Sequence, residues 1–230
     1  MNVFIYWENK HKKTPYYITL CIEKMKLLFP NLIILSPTNI RQYIPHFPKY
    51  FQNIKKIALK VDYIRTAVLF YHSGIYLDCD TILFPSFLSY LSTIPTNYQL
   101  IGLGKNNIIS NNAFLIAPQK NAQILKSIIE EQEKIINKKK GKLDWTDIGG
   151  QLIEKISEKN VDVCLTLNPS PLGLFGWQNA DVFWSKEEEV IERYRRLVEK
   201  YFGVMLYNNV MGKKFRDGIE EGCLLWYLIK

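Results

Sequence analysis

The stretch "ALKVDYIRTAVLFYHSGIYLDCDTILF" (58–84) joins a helical pattern to a strand pattern. Apolar residues recur at three- and four-residue steps in its first part, which predicts a helix over residues 55–72. The second part, "GIYLDCDTI" (74–82), predicts a buried strand that carries Asp78 and Asp80 on the same face. Because a carboxylate resists burial unless something pairs with it, these two aspartates need compensation.

Elements on either side of this stretch predict an α/β fold. The segments "NVFIYW" (2–7) and "NLIILS" (31–36) are expected to form strands. Between them, residues 14–29 are expected to form a helix with Thr14 as its N-cap and Pro15 at its first position. A strand–helix–strand opening favours a parallel sheet with helices on its faces.

The second half of the chain continues the alternation, with some mixed-sheet character. Strands are predicted at 99–103, 112–117, 162–167 and 203–207, and helices at 120–138, 147–158 and 185–201. With no internal repeat, low-complexity linker or break in composition, we expect a single domain over residues 1–230. The expected fold is α/β, with a mostly parallel mixed sheet flanked by helices.

The composition is that of a folded protein, with 47% hydrophobic and 13% aromatic residues. No apolar run approaches the roughly 20 residues that a membrane-spanning helix needs, and the first residues do not resemble a signal peptide. The cysteines show no CxxC spacing, which favours neither a zinc site nor a disulfide framework. These features predict a cytoplasmic location.

The formal net charge of +8 suggests an anionic partner. Nucleic acid is not expected, because the lysines are spread along the chain and no zinc-finger or RRM-like signature is present. A basic surface suits a nucleotide diphosphate or an anionic membrane face equally well. Lysines that are simply solvated in loops are the ordinary alternative.

The D-x-D pattern is weak evidence by itself, since an exposed strand end with two solvated carboxylates would look the same. The position of the motif after a predicted strand strengthens this evidence, because ligands of α/β sheets bind outside the carboxyl ends of the strands. Two carboxylates on one face can share a divalent cation with diphosphate oxygens, and Mg²⁺ or Mn²⁺ suits such ligands. Asp62 and Arg65 lie one helical turn apart and are expected to face the same crevice, unless they are an ordinary surface pair.

Residues 58–84 resemble the sugar-binding D-x-D region of the glycosyltransferase family 32 type. They are more closely similar to the capsular polysaccharide synthesis glycosyltransferases, whose pattern runs S-D-x-x-R and then L-x-x-x-G-G-x-Y-x-D-x-D. The segment "IYWENKHKKTPYYITLCIEKMKLLFPN" (5–31) is similar to the same group. Two departures are mild: Val61 stands in place of the serine, and Ser73 in place of the first glycine.

The resemblance implies a GT-A-type nucleotide-sugar-binding fold, with donor binding in residues 1–120 and the acceptor side and tail in residues 121–230. It implies a retaining transfer of a hexose from a nucleotide sugar, expected to be a UDP-sugar, to a glycan or lipid-linked glycan acceptor. The process would be the synthesis of a surface or capsular polysaccharide. The implied cofactor is Mn²⁺ or Mg²⁺.

The resemblance also implies a role for each motif residue. Asp80 is the expected metal ligand, and Asp78 is expected to help with the metal or with the donor. Asp62 and Arg65 would hold the donor sugar and its diphosphate. The implied catalytic residues are Asp78, Asp80 and Arg65.

Five further residues are candidates for binding. Tyr6 and Trp7 end the first strand where the family binds its nucleotide base, although a core role for either aromatic is equally open. On the acceptor side, Trp145 is a candidate for stacking on a sugar ring, and Asn112 is expected to line the same cleft. Asp147 is an acceptor-side candidate whose favoured alternative is to cap the helix that follows it.

One departure from the family lies in the C-terminal strand. Related enzymes often complete the metal site there with a histidine, and Met205 occupies the matching place in "VMLYN". A thioether is a poor ligand for a hard cation. Asn208 or Asn209 substitutes for the histidine, or water fills the position, or metal binding is weakened.

Other functions compete with glycosyl transfer. A glycoside hydrolase needs two carboxylates that flank the scissile bond from opposite sides, which two aspartates on one strand face do not provide. A non-catalytic carbohydrate- or nucleotide-sugar-binding protein is the main alternative. The apolar tail at residues 219–230 is expected to pack onto the core or, alternatively, to make a peripheral contact with the inner face of a membrane.

Overall fold

The computed structural model describes residues 1–9, 13–167, 172, 177–198 and 201–229. The chain divides into two units. The first unit consists of residues 1–8, 33–78 and 95–170, and the second of residues 9–32, 79–94 and 171–230. The expectation of one domain over the whole chain stays a prediction.

Eight strands lie in the described part of the chain. They are β1 (Val3–Tyr6), β2 (Ile33–Leu35), β3 (Gly74–Leu77), β4 (Thr81–Leu83), β5 (Leu100–Lys105), β6 (Ile108–Ala117), β7 (Cys164–Leu167) and β8 (Gly203–Met205). The first unit holds a six-stranded sheet in the order β2-β1-β3-β6-β5-β7. The second unit holds a two-stranded sheet of β4 and β8.

Parallel pairing predominates in the six-stranded sheet. β1 pairs in parallel with β2 and β3, and β5 with β7, whereas β6 runs antiparallel to both β3 and β5. Every residue of β1 and β3 is buried, as expected for strands that are covered on both faces. The mostly parallel mixed sheet of an α/β fold is therefore confirmed.

The described helices mostly follow the predicted ones. They are α1 (Tyr16–Leu28), α2 (Ile40–Tyr43), α3 (Ile57–His72), α4 (Ser86–Thr93), α5 (Gln123–Lys138), α6 (Gly150–Glu158), α7 (Glu188–Val198), α8 (Asn208–Lys214) and α9 (Leu224–Ile229). Two 3₁₀ segments span Phe51–Asn53 and Trp177–Trp184. The predictions at 14–29, 55–72, 120–138 and 147–158 correspond to α1, α3, α5 and α6. The helix predicted at 185–201 overlaps α7, and its residues 199–200 lie outside the described residues.

The predicted N-cap of α1 is wrong. The helix begins at Tyr16, and Pro15 occupies the cap position with an extended backbone (φ −54°, ψ 138°). Thr14 Oγ1 instead accepts a hydrogen bond from Asn9 Nδ2 at 3.5 Å. The ring of proline fixes φ but leaves ψ free to be extended, so the pattern predicts the helix start too early.

A single residue, Ser73, separates α3 from β3. Ser73 (φ 55°) and Gly74 (φ 114°) both have positive φ. A Cβ at Gly74 would lie 2.3 Å from the carbonyl oxygen of Asn2, so only glycine fits at this position. The helix and the strand are therefore joined directly, with no flexible loop between them. This connection fixes the positions of the charged residues of α3 relative to the end of β3.

The apolar tail belongs to the second unit. Four of its residues are buried on α9, namely Leu224, Leu225, Leu228 and Ile229. Packing within the unit accounts for this apolar run, and a peripheral membrane contact through the tail stays a prediction. Among the described helices, none has the length and apolar character needed to cross a membrane.

Candidate functional site

The D-x-D motif lies in a turn between two strands, and the prediction that one strand carries both aspartates is wrong. β3 ends at Leu77 and β4 begins at Thr81, so residues 78–80 connect them. The main-chain N–H of Asp78 donates to Ala113 O at 2.9 Å, beside the last residue pair of β3 and β6. Because β3 pairs with β6 whereas β4 pairs with β8, the chain changes partners within the motif, and the alternation of faces ends there.

Asp78, in the first unit, forms an ion pair with a buried arginine. Arg65 Nη2 lies 3.2 Å from Asp78 Oδ1 and 3.5 Å from Asp62 Oδ1. Arg65 is only 5% exposed, and its guanidinium carbon lies 5.3 Å from the centre of the Tyr76 ring. A buried guanidinium is costly unless it is paired and hydrogen-bonded, and two carboxylates pair with it here. Three residues that the sequence assigned to the donor site are thus in contact.

Asn112 joins this group from β6. Its Nδ2 donates to Asp62 Oδ1 at 2.9 Å, and its carbonyl oxygen accepts a hydrogen bond from Nη1 of Arg65. A residue predicted for the acceptor side therefore contacts residues predicted for the donor side, and its acceptor role stays a prediction. We call Asp62, Arg65, Asp78 and Asn112 the arginine cluster.

Burial governs the ionisation of Asp62. Desolvation raises the pKa of its carboxyl above the ordinary value of 3.8, and the Arg65 charge and the Asn112 hydrogen bond oppose this only in part. Gly149 contributes to the enclosure, since a Cβ at that position would lie 2.7 Å from Asp62 Oδ2. The carboxylate is therefore held between a guanidinium, a side-chain amide and a glycine.

Asp80, in the second unit, is held by main-chain amides. Its Oδ2 accepts a hydrogen bond from Asn208 N–H at 2.7 Å, and its carbonyl oxygen accepts one from Leu206 N–H at 2.8 Å. Asn208 Oδ1 in turn accepts a hydrogen bond from the hydroxyl of the buried Tyr17. Asn208 thus lies beside Asp80, as its candidate role requires. The side chain of Asn209 lies outside the described residues.

The atoms near Asp80 differ in their suitability for a metal ion. Carboxylate and amide oxygens suit Mg²⁺ and Mn²⁺, whereas the thioether sulfur of a methionine does not. Met205 is the residue of β8 that pairs with Thr81 of β4. Thr81 Oγ1 is buried and has no hydrogen-bond partner among the described residues. Across the described part of the chain, no group of three or more His, Cys, Asp or Glu side chains could hold a metal ion. The oxygen atoms of Asp80 and Asn208 fit a hard cation that takes its remaining oxygen ligands from a bound molecule.

Tyr6 and Trp7 have different surroundings. Tyr6 is buried in the core, and its hydroxyl donates to Glu8 Oε2 at 2.9 Å. Burial and the Glu8 carboxylate raise the pKa of Tyr6. Trp7 is half-buried, and its main-chain N–H donates to Leu35 O at 2.9 Å. Tyr6 therefore has the core role that the sequence left open, and nucleotide-base contact by either aromatic stays a prediction.

Trp145 and Asp147 lie in the loop before α6. Trp145 is 58% exposed. Both carboxylate oxygens of Asp147 accept hydrogen bonds from Lys139 Nζ at 2.7 Å, and Oδ2 also accepts one from Asp144 N–H at 2.6 Å. The alternative that Asp147 caps α6 is wrong, because the helix begins at Gly150 and has no side-chain cap. The acceptor-side roles of Trp145 and Asp147 stay predictions.

Two residues that contact these sites were missed by the sequence analysis. Tyr17 lies in the apolar pattern of α1 and gives no sign that its hydroxyl reaches Asn208. Gln132 donates to the carbonyl oxygen of Asp62, and its place in the sequence does indicate an unusual role. It stands at a buried position of α5 between Ile128 and Ile136, where helical spacing calls for an apolar side chain.

Comparison with known proteins identifies the class. Residues 3–115 match the family model described as the glycosyltransferase sugar-binding region containing DXD motif. The fold is similar to that of PaToxG glycosyltransferase, with a TM-score of 0.51 and 15% identity over 99% of this chain and 84% of that one. It is also similar to that of the glycosyltransferase GlyE of Streptococcus pneumoniae TIGR4, with a TM-score of 0.50 and 11% identity over 99% of this chain and 59% of that one. No curated protein matches the chain.

The matched residues include the D-x-D motif and the whole arginine cluster. Residues 3–115 match a glycosyltransferase sugar-binding region, and the resemblance to the family 32 type is confirmed. The GT-A-type α/β fold class is confirmed as well. The chain is therefore similar to glycosyltransferases both in this sequence region and in its fold.

Proposed function

We propose that this protein is a glycosyltransferase that moves a hexose from a UDP-sugar to a glycan acceptor, with retention at the anomeric carbon, in the synthesis of a surface or capsular polysaccharide. The observation that carries the proposal is the arginine cluster. Asp62, Arg65 and Asp78 come from two parts of one family pattern, and their side chains form a single charged group. Such a preformed group suits the recognition of a polar, charged donor.

Within the arginine cluster, exposure divides the roles. The Asp78 side chain is 26% exposed, whereas the Arg65 side chain is 6% exposed. Asp78 is therefore the more exposed of the two, and its carboxylate can accept hydrogen bonds from hydroxyl groups of the donor. Arg65 fixes both carboxylates before the donor arrives, and its positive charge favours the negative charge that develops on the leaving diphosphate.

A divalent cation, Mn²⁺ or Mg²⁺, would be held by Asp80, with Asn208 and the diphosphate of the donor as further oxygen ligands. When bound, it would neutralise charge on the leaving diphosphate. Asp78 is a further candidate ligand, although it already pairs with Arg65. The main-chain amide of Asn208 orients the Asp80 carboxylate for this role.

The transfer needs no dedicated protein base. The bond between the anomeric carbon and the diphosphate oxygen breaks, and its electron pair goes to that oxygen. The hydroxyl oxygen of the acceptor attacks the anomeric carbon from the same face, and its proton passes to the departing phosphate oxygen. Trp145, with its exposed ring, is the candidate for stacking on the acceptor sugar.

A thermal-shift screen of UDP- and GDP-sugars, with and without Mn²⁺, tests the donor and the metal together. We expect a UDP-sugar to raise the melting temperature and Mn²⁺ to increase that shift. The matching donor should then be hydrolysed or transferred by the wild-type chain and not by Asp80→Asn. A chain that binds a UDP-sugar but never turns it over with any acceptor or with water would instead be the non-catalytic binding protein.

A further inference from the structure

Gln132 is a buried amide with three hydrogen bonds. Its Nε2 donates to the carbonyl oxygens of Asp62 at 2.9 Å and Ile148 at 2.7 Å. Its Oε1 accepts a hydrogen bond from Thr66 Oγ1 at 2.7 Å. The side chain is fully buried, so each of these bonds offsets the cost of removing a polar group from water. Because carbonyl oxygens only accept hydrogen bonds, the orientation of the amide is fixed.

The two carbonyl partners of Gln132 belong to segments that meet at one carboxylate. Asp62 lies on α3 and carries its carboxylate in the arginine cluster. Ile148 precedes Gly149, whose missing Cβ would lie 2.7 Å from Asp62 Oδ2. Gln132, on α5, therefore ties the Gly149 segment and α3 to the same side chain.

Packing alone does not explain a glutamine here. The buried stripe of α5 otherwise consists of apolar residues, namely Ile124, Leu125, Ile128 and Ile136. An apolar side chain at position 132 would fill the space without any desolvation cost, but it would remove the amide donor to the Ile148 carbonyl oxygen and one of the donors to the Asp62 carbonyl oxygen, which Thr66 Oγ1 also approaches at 3.4 Å. The glutamine thus supplies a hydrogen-bond donor to each of the two carbonyl groups that it connects.

We propose that Gln132 is a positioning residue for glycosyl transfer. It acts through Asp62 by fixing the main chain at Gly149 against that carboxylate, and thereby sets the geometry in which the donor sugar is bound. The proposal rests on the proposed function, since it takes Asp62 to contact the donor. Loss of the amide therefore raises the KM for the donor more than the KM for the acceptor, whose candidate residues Trp145 and Asp147 lie in the loop next to Ile148.

The test compares three variants with the wild-type chain. Gln132→Met keeps the length of the side chain and removes its hydrogen bonds. Gln132→Glu keeps the shape, and its buried carboxyl, when protonated, donates one hydrogen bond. Ser157→Ala is the control: Ser157 is also fully buried in the first unit, and its Oγ accepts a hydrogen bond from Ile109 N–H at 2.9 Å. Its Oγ also donates to the Glu154 carbonyl oxygen at 3.0 Å, and the substitution should affect stability only.

Steady-state kinetics use Mn²⁺ and the UDP-sugar that gives the largest thermal shift. We expect Gln132→Met to raise the KM for the donor at least about tenfold and to change the acceptor KM less. The donor KM of Gln132→Glu should lie between those of Gln132→Met and the wild-type chain. It should approach the wild-type value as the pH is lowered. Ser157→Ala should lower the melting temperature without changing either KM. An unchanged donor KM in Gln132→Met would overturn the proposal and leave Gln132 a purely structural residue.

Amide hydrogen exchange separates failure of this proposal from failure of the proposed function. If the wild-type chain neither binds nor turns over any UDP-sugar, the proposed function fails. Peptides covering residues 148–150 and 62–66 then still report on the link. Faster exchange there in Gln132→Met, and not in Ser157→Ala, supports the positioning of Gly149 against Asp62. Equal exchange in both variants overturns it.

Discussion

The two aspartates of the D-x-D motif are stabilised in different ways. Asp78, in the first unit, pairs with the guanidinium of the buried Arg65. Asp80, in the second unit, accepts a hydrogen bond from the main-chain N–H of Asn208. A buried guanidinium must be balanced by negative charge, whereas a main-chain amide is neutral and imposes no such balance. Substitutions around Asp78 should therefore lower the unfolding free energy strongly. Substitutions at Asp80 should lower mainly the activity.

The largest effect should follow removal of the Arg65 charge. Arg65→Met leaves the enclosed Asp62 carboxylate without its cation, and breaking a buried pair in this way costs about 3–5 kcal/mol of unfolding free energy. Urea denaturation at neutral pH measures this loss. Arg195→Met is the control, because Arg195 forms an exposed pair with Glu192 at 3.0 Å and should change stability by less than about 1 kcal/mol. Equal losses in the two variants would show that the arginine cluster has no special structural role.

Asp80→Asn should have the next largest effect, and it should be on activity. Loss of a metal-binding carboxylate should lower kcat/KM at least about 100-fold, because charge stabilisation by a bound cation contributes several kcal/mol. The asparagine oxygen can still accept the Asn208 hydrogen bond, so the unfolding free energy should change by less than about 1 kcal/mol. Calorimetric titration with Mn²⁺ and donor measures the affinity directly. Asp217→Asn, at an exposed aspartate of the same unit, should bind Mn²⁺ as the wild-type chain does. Unchanged Mn²⁺ affinity in Asp80→Asn would remove Asp80 from the metal site.

A smaller effect is expected in the pH dependence of stability. Because burial raises the pKa of Asp62 above 3.8, the native state binds this proton more tightly than the unfolded state. The unfolding free energy therefore falls as the pH rises from about 3.8 through the raised native pKa. Asp62→Asn lacks this group, so its stability should decline less over the same range. Urea denaturation of both proteins between about pH 4 and pH 7 checks the difference. Parallel curves would contradict the effect of burial on Asp62.

The smallest effect should come from the Tyr17 hydroxyl. Tyr17→Phe removes the hydrogen bond to Asn208 Oδ1 and should cost about 1 kcal/mol of unfolding free energy. Since the main-chain amide of Asn208 still reaches Asp80, donor turnover should fall by less than about threefold. Tyr227→Phe, at an exposed tyrosine of the same unit, serves as the control for the substitution itself. A loss of activity as large as that of Asp80→Asn would show that the Asn208 side chain matters more than its main chain.

The sequence was sufficient to predict most elements of the sheet and the association of Asp62 with Arg65. The apolar runs that became β1 and β3 are short and rich in β-branched and aromatic residues, as strands are, and helical spacing by itself puts positions 62 and 65 on one side of α3. It failed at the D-x-D motif, where strand alternation predicted one shared face. Alternation holds only while a strand keeps its partner, and the partner changes there from β6 to β8.

By itself, the sequence determined the α/β class, the helix that carries Asp62 and Arg65, and the motif that resembles the sugar-binding region of glycosyltransferases. These depend on periodicity and on residue types that lie close together in the chain. Only the tertiary structure decided that Asn112 donates to Asp62, that Gln132 connects Asp62 to Ile148, and that Asn208 orients Asp80. Asn112 and Asp62 are 50 positions apart in the sequence, and Asn208 and Asp80 are 128 positions apart. Hydrogen bonds over such separations depend on how strands and helices pack, which local sequence patterns do not encode.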